Sequence, residues 1–450
     1  MLTRTPPVGT HEGRVGVLFV ASPLFPEEAA TELVARTEGF IRAERLGGQF
    51  QIVGTLARDR ASCAQALAGL DLDTLDALVI QLSTFSTAEL LHDVLGALGD
   101  RRLPLALWAL EEAEEIVTNS LCGAQLWAST LARFGRGFTL LLGNPADEGL
   151  ARELAAFAAA SRAHRRLRGA RVALVGSHAD WFTNLAVDPW ALRRALDVTV
   201  EQTTLVKFLQ GCVAEPADEK AAAARWAQAS FDGGEAEAGR LTLGRTYARL
   251  AAGLDRIRAD AIAIRDWPEI LYAEEFRGTW GALGELSDRA VPIAPEGDVM
   301  GALTALVARA FDPASLPFLT DISGIDRARD RLVIWHYGVS PRLADGPRSL
   351  DPALKQETFP LKAGEMTLLR LSMRADGGLR IFVSEGEIEA EKSRANRAAG
   401  YFRPATANAE TLVRRFIGEG YEHHVTAVYG RWADAVLHLG RQLGVQVDHV

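Results

Sequence analysis

Arg14–Ser22 reads RVGVLFVAS, Leu75–Leu82 reads LDALVIQL and Pro104–Leu110 reads PLALWAL. These runs are nearly continuous in apolar residues, the pattern of strands buried on both faces. Phe50–Gly54 and Phe138–Leu142 have the same character, and stretches of helical period such as Pro26–Glu44 and Thr87–Leu98 separate them. Strand, helix, strand in series predicts a parallel sheet with helices on both sides. Glu148–Ser161 predicts a closing helix. The basic stretch after it, RAHRRLRGAR over Arg162–Arg171, reads as a solvated helix end and linker, since cations suit a helix C-terminus; an anion site is the alternative.

The pattern then restarts. Arg171–Gly176 (RVALVG), Leu196–Thr203 and Asp260–Ile264 (DAIAI) read as strands, with long helices over Ala217–Ser230 and Thr242–Ala259 and another over Val299–Ala310. Beyond residue 315 the chain turns β-rich: Leu332–Gly338, Glu365–Met373, Leu379–Ser384, Leu412–Ile417 and His423–Gly430 carry the branched and aromatic residues that pleated surfaces favour. Two polar segments, Val339–Gly364 and Glu389–Asn408, interrupt them, and a helix over Arg431–Leu443 leads into a last strand, Val445–His449. The expectation is two successive Rossmann-like parallel-sheet domains (1–165 and 166–314) followed by a β-rich, barrel-like domain (315–450).

The length, 450 residues, suits such a division, and 48% hydrophobic with 24% charged residues is a globular balance. A net charge of −9 provides no basic field for phosphate backbones, so no nucleic-acid partner is expected. Cys63, Cys122 and Cys212 are odd in number and show no metal-ligand spacing, which favours a reducing compartment. The start, MLTRTPPVGTHEGR, has no apolar core of a signal peptide, and no apolar run approaches the ~20 residues of a membrane span. A cytoplasmic protein without a membrane partner is expected.

No G-x-G-x-x-G, P-loop or G-x-S-x-G pattern occurs at a suitable place. What remains is a set of carboxylates and histidines in the last third: Glu296 in VPIAPEGD before a helix, Asp321 after Leu316–Thr320, His336 inside LVIWHYG, and His423 and His424 opening HHVTAVYG. Carboxylates with imidazole suit a hard or borderline divalent ion such as Mn²⁺. Each also has a plainer role. Glu296 and Asp298 would complement a helix N-terminus, Asp321 would serve a turn, and His336 would sit hydrogen-bonded in a core. Side chains alternate along a strand, so only one of His423 and His424 is expected to enter a given site. Trp181, Phe182 and Trp267 follow predicted strands and read as core residues or as stacking surfaces for a sugar.

Four stretches together are similar to the L-fucose/L-arabinose isomerase superfamily, and most to its L-fucose isomerase-like branch. They are Pro104–Trp108 with Thr118–Gly123 (TNSLCG), Pro295–Leu303 (PEGDVMGAL), Thr320–Asp321 with Trp335–Gly338 (WHYG), and Gly420–His424 (GYEHH) with Gly430. Order and spacing agree over about residues 14–445. The resemblance implies the same three-domain layout. It implies Glu296 and Asp321 as metal-binding carboxylates that act as acid and base, His424 as a metal ligand, and His336 as a ligand or site neighbour. Asn119 and Ser120 would belong to a loop that reaches the active site of a neighbouring subunit, and Trp181 is a further substrate-binding candidate. Tyr337 and Pro295 stand where the branch often has cysteine.

The implied activity is a metal-dependent aldose–ketose isomerisation through an ene-diolate, with Mn²⁺ as cofactor. The substrate would be a deoxy- or sulfo-hexose of the sulfoquinovose type, or a pentose. A homo-oligomer, hexameric or otherwise closed, with active sites near subunit interfaces is the implied assembly. The competing readings are a non-catalytic sugar-binding or regulatory protein of two α/β domains, and an inactive family member.

Overall fold

The computed structural model describes residues 14–44, 46, 48–224, 237–350, 356–391, 393 and 397–450. The chain forms two compact units, one holding the residues up to Arg165 together with Asp434–Val445, the other Arg166–Ala433 with Gln446–Val450.

In the first unit β1 (Val15–Val20), β2 (Phe50–Ala57), β3 (Ala77–Leu82), β4 (Leu105–Ala109) and β5 (Thr139–Leu142) make a parallel sheet in the order β2-β1-β3-β4-β5. Every residue of β1 and β3 is buried, as their unbroken apolar character requires. Alternation sorts them into two cores: Leu18, Val20, Leu78, Ile80 and Leu82 face one, and Val15, Val17, Phe19, Ala77 and Val79 the other. The helix Glu148–Leu167 takes in the start of the basic stretch, as the helix-end reading has it. The helix Ala433–Leu443 groups with this unit, where Gln442 donates to Ser161 Oγ at 3.0 Å and His438 meets Phe157 edge-on at 6.0 Å.

The second unit opens with another parallel sheet. Its strands are β6 (Arg171–Val175), β7 (Thr199–Thr203), β8 (Ala261–Ile264) and β9 (Ile293–Ala294), in the order β7-β6-β8-β9. Of the helix expected over Ala217–Ser230, Pro216–Ala223 is helical, and residues 225–230 lie outside the described residues. The remaining strands are β10 (Phe318–Asp326), β11 (Arg331–His336), β12 (Ser349–Leu350), β13 (Glu357–Pro360), β14 (Gly364–Met373), β15 (Leu379–Ile388), β16 (Ala398–Pro404), β17 (His424–Tyr429) and β18 (Gln446–His449). Antiparallel pairing runs β16-β11-β10-β17-β14-β15 and returns to β16, closing a barrel around Phe318, Leu332, Ile334, Met366, Leu368, Phe382 and Phe402. Closure depends on Gly386: a Cβ there would come 2.1 Å from the Arg403 carbonyl oxygen. Two α/β domains and an antiparallel barrel thus follow one another along the chain.

Three local expectations in the last domain are corrected. Leu412–Ile417 is not a strand but part of the helix Ala409–Gly418. Asn408 caps it by accepting from Thr411 N at 2.7 Å, and Ala409, Leu412 and Phe416 form the single buried stripe that helical period produces. Glu389–Asn408, read as an interruption, contains β16, whose glycine and proline hide its pairing in the sequence. Val339–Gly364 likewise contains the short β12 and β13.

Candidate active site

Open parallel sheets bind ligands outside the carboxyl ends of their strands. Three segments leave the second sheet at that edge: Gly176–Phe182 after β6, Arg265–Pro268 after β8, and Pro295–Asp298 after β9. The last carries Glu296. From the barrel, adjacent strands β10 and β17 place Asp321 directly opposite His424, and directly opposed residues share a face. His336 ends β11, the other neighbour of β10, and its ring centroid lies 5.1 Å from that of His424.

The side chains converge. His424 Nε2 lies 3.1 Å from Glu296 Oε2, and His423 Nε2 lies 3.7 Å from the same oxygen. One potential ligand atom from each of Glu296, His336 and His424 lies within 4.8 Å of the others, and the same holds for Asp321, His423 and His424. His424 is common to both groups. Glu296 Oε2, Asp321 Oδ1 and His424 Nε2 are buried without a hydrogen-bond partner; the 3.1 Å approach of Glu296 to His424 is close but not aligned for one. A buried orphan costs about 1–3 kcal/mol. An orphaned oxygen from each of two carboxylates and an orphaned imidazole nitrogen, brought by three elements, are donors a divalent cation takes up, so the residues present fit such an ion.

The expectation that only one of the paired histidines enters is corrected: both rings stand at Glu296, with centroids 4.0 Å apart. The reason is that β17 starts at His424, so strand alternation does not govern His423.

Charge is arranged to match. Burial works against an ionised Glu296, but the His423 and His424 imidazoles against its oxygen outweigh it and hold the carboxyl well below its ordinary range. His336 is pushed down by burial and is neutral; its Nδ1 donates to the Tyr337 carbonyl at 2.9 Å, leaving the Nε2 lone pair for a ligand. Burial opposes the charged form of His424 as well. Asp298 and Glu296 overcome it and push that imidazole up to about 9, so a cation must displace a proton there.

Behind His424 stands a pair that sequence reading missed. Asp298 Oδ2 accepts from His424 Nδ1 at 2.9 Å. Arg370, fully buried like Asp298, donates to both Asp298 oxygens at 2.5 and 3.1 Å and reaches Glu422 at 3.3 Å. Asp298 also caps the helix Val299–Phe311, accepting from Gly301 N at 2.8 Å. The capping reading therefore holds for Asp298 and not for Glu296. A carboxylate behind a ligand histidine fixes its tautomer and ring orientation. A lone arginine in the apolar run GEMTLLRLSM was the available signal, because a buried guanidinium needs a buried anion.

Aromatic residues line the approach. Phe182 stacks on Trp267 at 5.4 Å and meets His423 edge-on at 5.0 Å, while the Asn184 amide lies 3.0 Å from His423 Nδ1. Trp181 is 92% exposed, so core packing does not apply to it. Asn119 and Ser120 belong to the first unit. Ser120 is buried, donates to the Leu82 carbonyl and accepts from Leu110 N at 3.0 Å; Asn119 starts the helix in a left-handed conformation, its N–H held by Glu112 at 2.8 Å.

Comparison with known proteins shows what the chain is similar to. The family model described as "L-fucose isomerase, C-terminal domain" matches residues 359–450. The sulfoquinovose isomerase of Priestia aryabhattai is 24% identical over 386 residues, covering 83% of this chain and 85% of the relative. That of Alkalicoccus urumqiensis is 24% identical over 83% of this chain and 86% of its own length. That of Clostridium sp. (strain MSTE9) is 25% identical over 84% and 87%.

Proposed function

Since the chain belongs to the L-fucose/L-arabinose isomerase superfamily and is an aldose–ketose isomerase, we propose that it interconverts a sulfo-hexose of the sulfoquinovose type with its ketose at the Glu296–Asp321–His424 site. The observation that carries the site is that Glu296 and Asp321, each with an orphaned oxygen, both bring a ligand atom within 4.8 Å of one on His424. The substrate rests on relatives that bear that activity and match over more than four-fifths of both chains.

Aldose–ketose isomerisation moves a proton between neighbouring carbons of an open-chain sugar, through an ene-diolate with negative charge on oxygen. A Mn²⁺ ion held by Glu296, Asp321 and His424, with His336 beside it, would supply charge stabilisation where that charge develops. The chain's own residues do the rest. Glu296 and Asp321 remove and return protons at C2 and C1, each worth ~10²–10⁴-fold. Asp298 holds the His424 ring in place. Phe182 and Trp267 form an apolar wall beside His423, and the exposed Trp181 offers a further face to a sugar.

Among the described residues no helix is long and apolar enough to cross a membrane, and all three cysteines are free. Our reading places the protein in the cytoplasm, without nucleic-acid or membrane partners, as a closed homo-oligomer such as a hexamer whose sites lie near subunit interfaces. Asn119 is then the group offered to a neighbouring site, since the Ser120 hydroxyl is engaged within its own unit. The test is a panel of neutral aldoses, pentoses and sulfo-hexoses with Mn²⁺ and with chelator, read by ketose formation. Chelator-sensitive turnover of the sulfo-hexose supports the reading; chelator-resistant turnover, or turnover of neutral sugars alone, overturns it.

A further inference from the structure

Glu296 sits at φ 60°, ψ 14°, and Gly297 follows at φ 70°. The left-handed conformation costs a residue with a Cβ about 1–2 kcal/mol, so something outside the turn has to hold it. Two groups do. The Glu296 carbonyl accepts from Ala179 N at 3.0 Å, and the Glu296 N–H donates to Asp266 Oδ1 at 2.6 Å. Asp266 is fully buried just past the end of β8, and its other oxygen accepts from Trp280 Nε1 at 2.6 Å. The Trp280 indole lies flat on the Tyr337 ring, with centroids 3.7 Å apart and planes within 7°. Tyr337 in turn accepts from His336 Nδ1 through its carbonyl. One run of contacts therefore joins the backbone of Glu296 to the ring of His336, and Asp266 is where it branches.

We propose that Asp266 is the positioning residue of the site, using one oxygen to hold Glu296 in its left-handed turn and the other to anchor the Trp280–Tyr337 stack behind His336. The inference rests on Glu296 and His336 facing a common cation, as read above. Both oxygens act as acceptors, which gives a specific test. In Asp266→Asn the amide has one acceptor oxygen and one donor nitrogen, so either the Glu296 N–H or the Trp280 N–H confronts an NH₂ group. Removing the indole N–H as well, in Asp266→Asn/Trp280→Phe, ends that conflict and lets the amide oxygen return to Glu296.

The experiment measures Mn²⁺ affinity by calorimetry on metal-free protein, and backbone hydrogen exchange of the peptide containing Glu296 with no metal added. Asp266→Asn is expected to weaken Mn²⁺ binding by about 10–100-fold, the usual effect of disturbing an outer-shell partner. It should also speed exchange of the Glu296 amide. The double variant should regain the Glu296 amide protection and part of the Mn²⁺ affinity. Trp280→Phe alone should leave that exchange near wild type and weaken Mn²⁺ binding, though less than Asp266→Asn does, because it frees only the Trp280–Tyr337 stack. A purely structural role for Asp266 would lower the melting temperature without this rescue. Wild-type affinity and exchange in Asp266→Asn, or a double variant no better than the single one, overturns the proposal. If wild-type protein and Glu296→Gln bind Mn²⁺ alike, it is the reading of the metal site that falls, and the exchange data, which need no metal, still decide whether Asp266 holds Glu296.

Discussion

Asp298→Asn keeps the shape of the side chain and removes its charge. Arg370, with no exposed surface, would lose its bidentate partner and keep only the 3.3 Å contact to Glu422. Breaking a buried ion pair from one side costs about 3–5 kcal/mol. At roughly 2–4 °C per kcal/mol for domains of 150–250 residues, and toward the lower figure for the larger unit that holds this pair, melting should fall by about 6–10 °C. His424 would also lose the acceptor that orients it, so Mn²⁺ affinity should drop by about 10–100-fold. Scanning calorimetry and a metal titration read the two effects separately. Asp298→Leu with Arg370→Met sharpens the test, because a buried pair replaced by apolar residues is often no less stable. That double variant should recover most of the melting temperature but not the metal affinity. An Asp298→Asn protein that melts with the wild type, or a double variant that regains Mn²⁺ binding, would refute the assignment of Asp298 as the orienter of His424.

Glu296→Gln should leave melting nearly unchanged and lower kcat by about 10²–10⁴-fold or more, as loss of a positioned base does; full activity would remove Glu296 from the chemistry. His438, packed on Phe157 in the first unit, is pushed by burial from 6.5 down to about 4. The unfolded chain takes up a proton near pH 6.5 that the folded chain refuses until about pH 4, so stability is complete above that window and falls as pH drops through it, by up to about 3 kcal/mol. His438→Phe should flatten this decline between pH 7.5 and 4.5 in urea titrations. Gly386→Ala puts a Cβ against the Arg403 carbonyl at the barrel seam and should cost at least about 1–3 kcal/mol, seen as a lower urea midpoint.

The architecture was legible where burial speaks directly through composition. Strands covered on both faces, such as Val15–Val20 and Ala77–Leu82, have to be apolar throughout and so announce a parallel sheet. The barrel was harder. Leu412–Phe416 mixes branched and aromatic residues with arginines, and only the Asn408 cap and the spacing of its buried residues separate helix from strand. In the site, Glu296, Asp321, His336 and His424 stood out as residue types able to bind a metal, but nothing in separations of 25, 15 and 88 positions shows that they meet. Register does that, by setting Asp321 opposite His424. His423 was misjudged because alternation was applied one residue before the strand begins. Asp266 and Arg370 were missed because they act through other residues, Asp266 through the Glu296 backbone and the Trp280 ring, Arg370 through Asp298. Their traces, an acidic residue just past a parallel strand and a lone cation in an apolar one, become readable only with topology in hand.

The most direct test is a crystal of the protein loaded with Mn²⁺, with anomalous scattering recorded at the manganese edge. The account predicts one strong peak per chain within bonding distance of Glu296, Asp321 and His424. A peak bound elsewhere, or one that leaves either carboxylate out of reach, would contradict it.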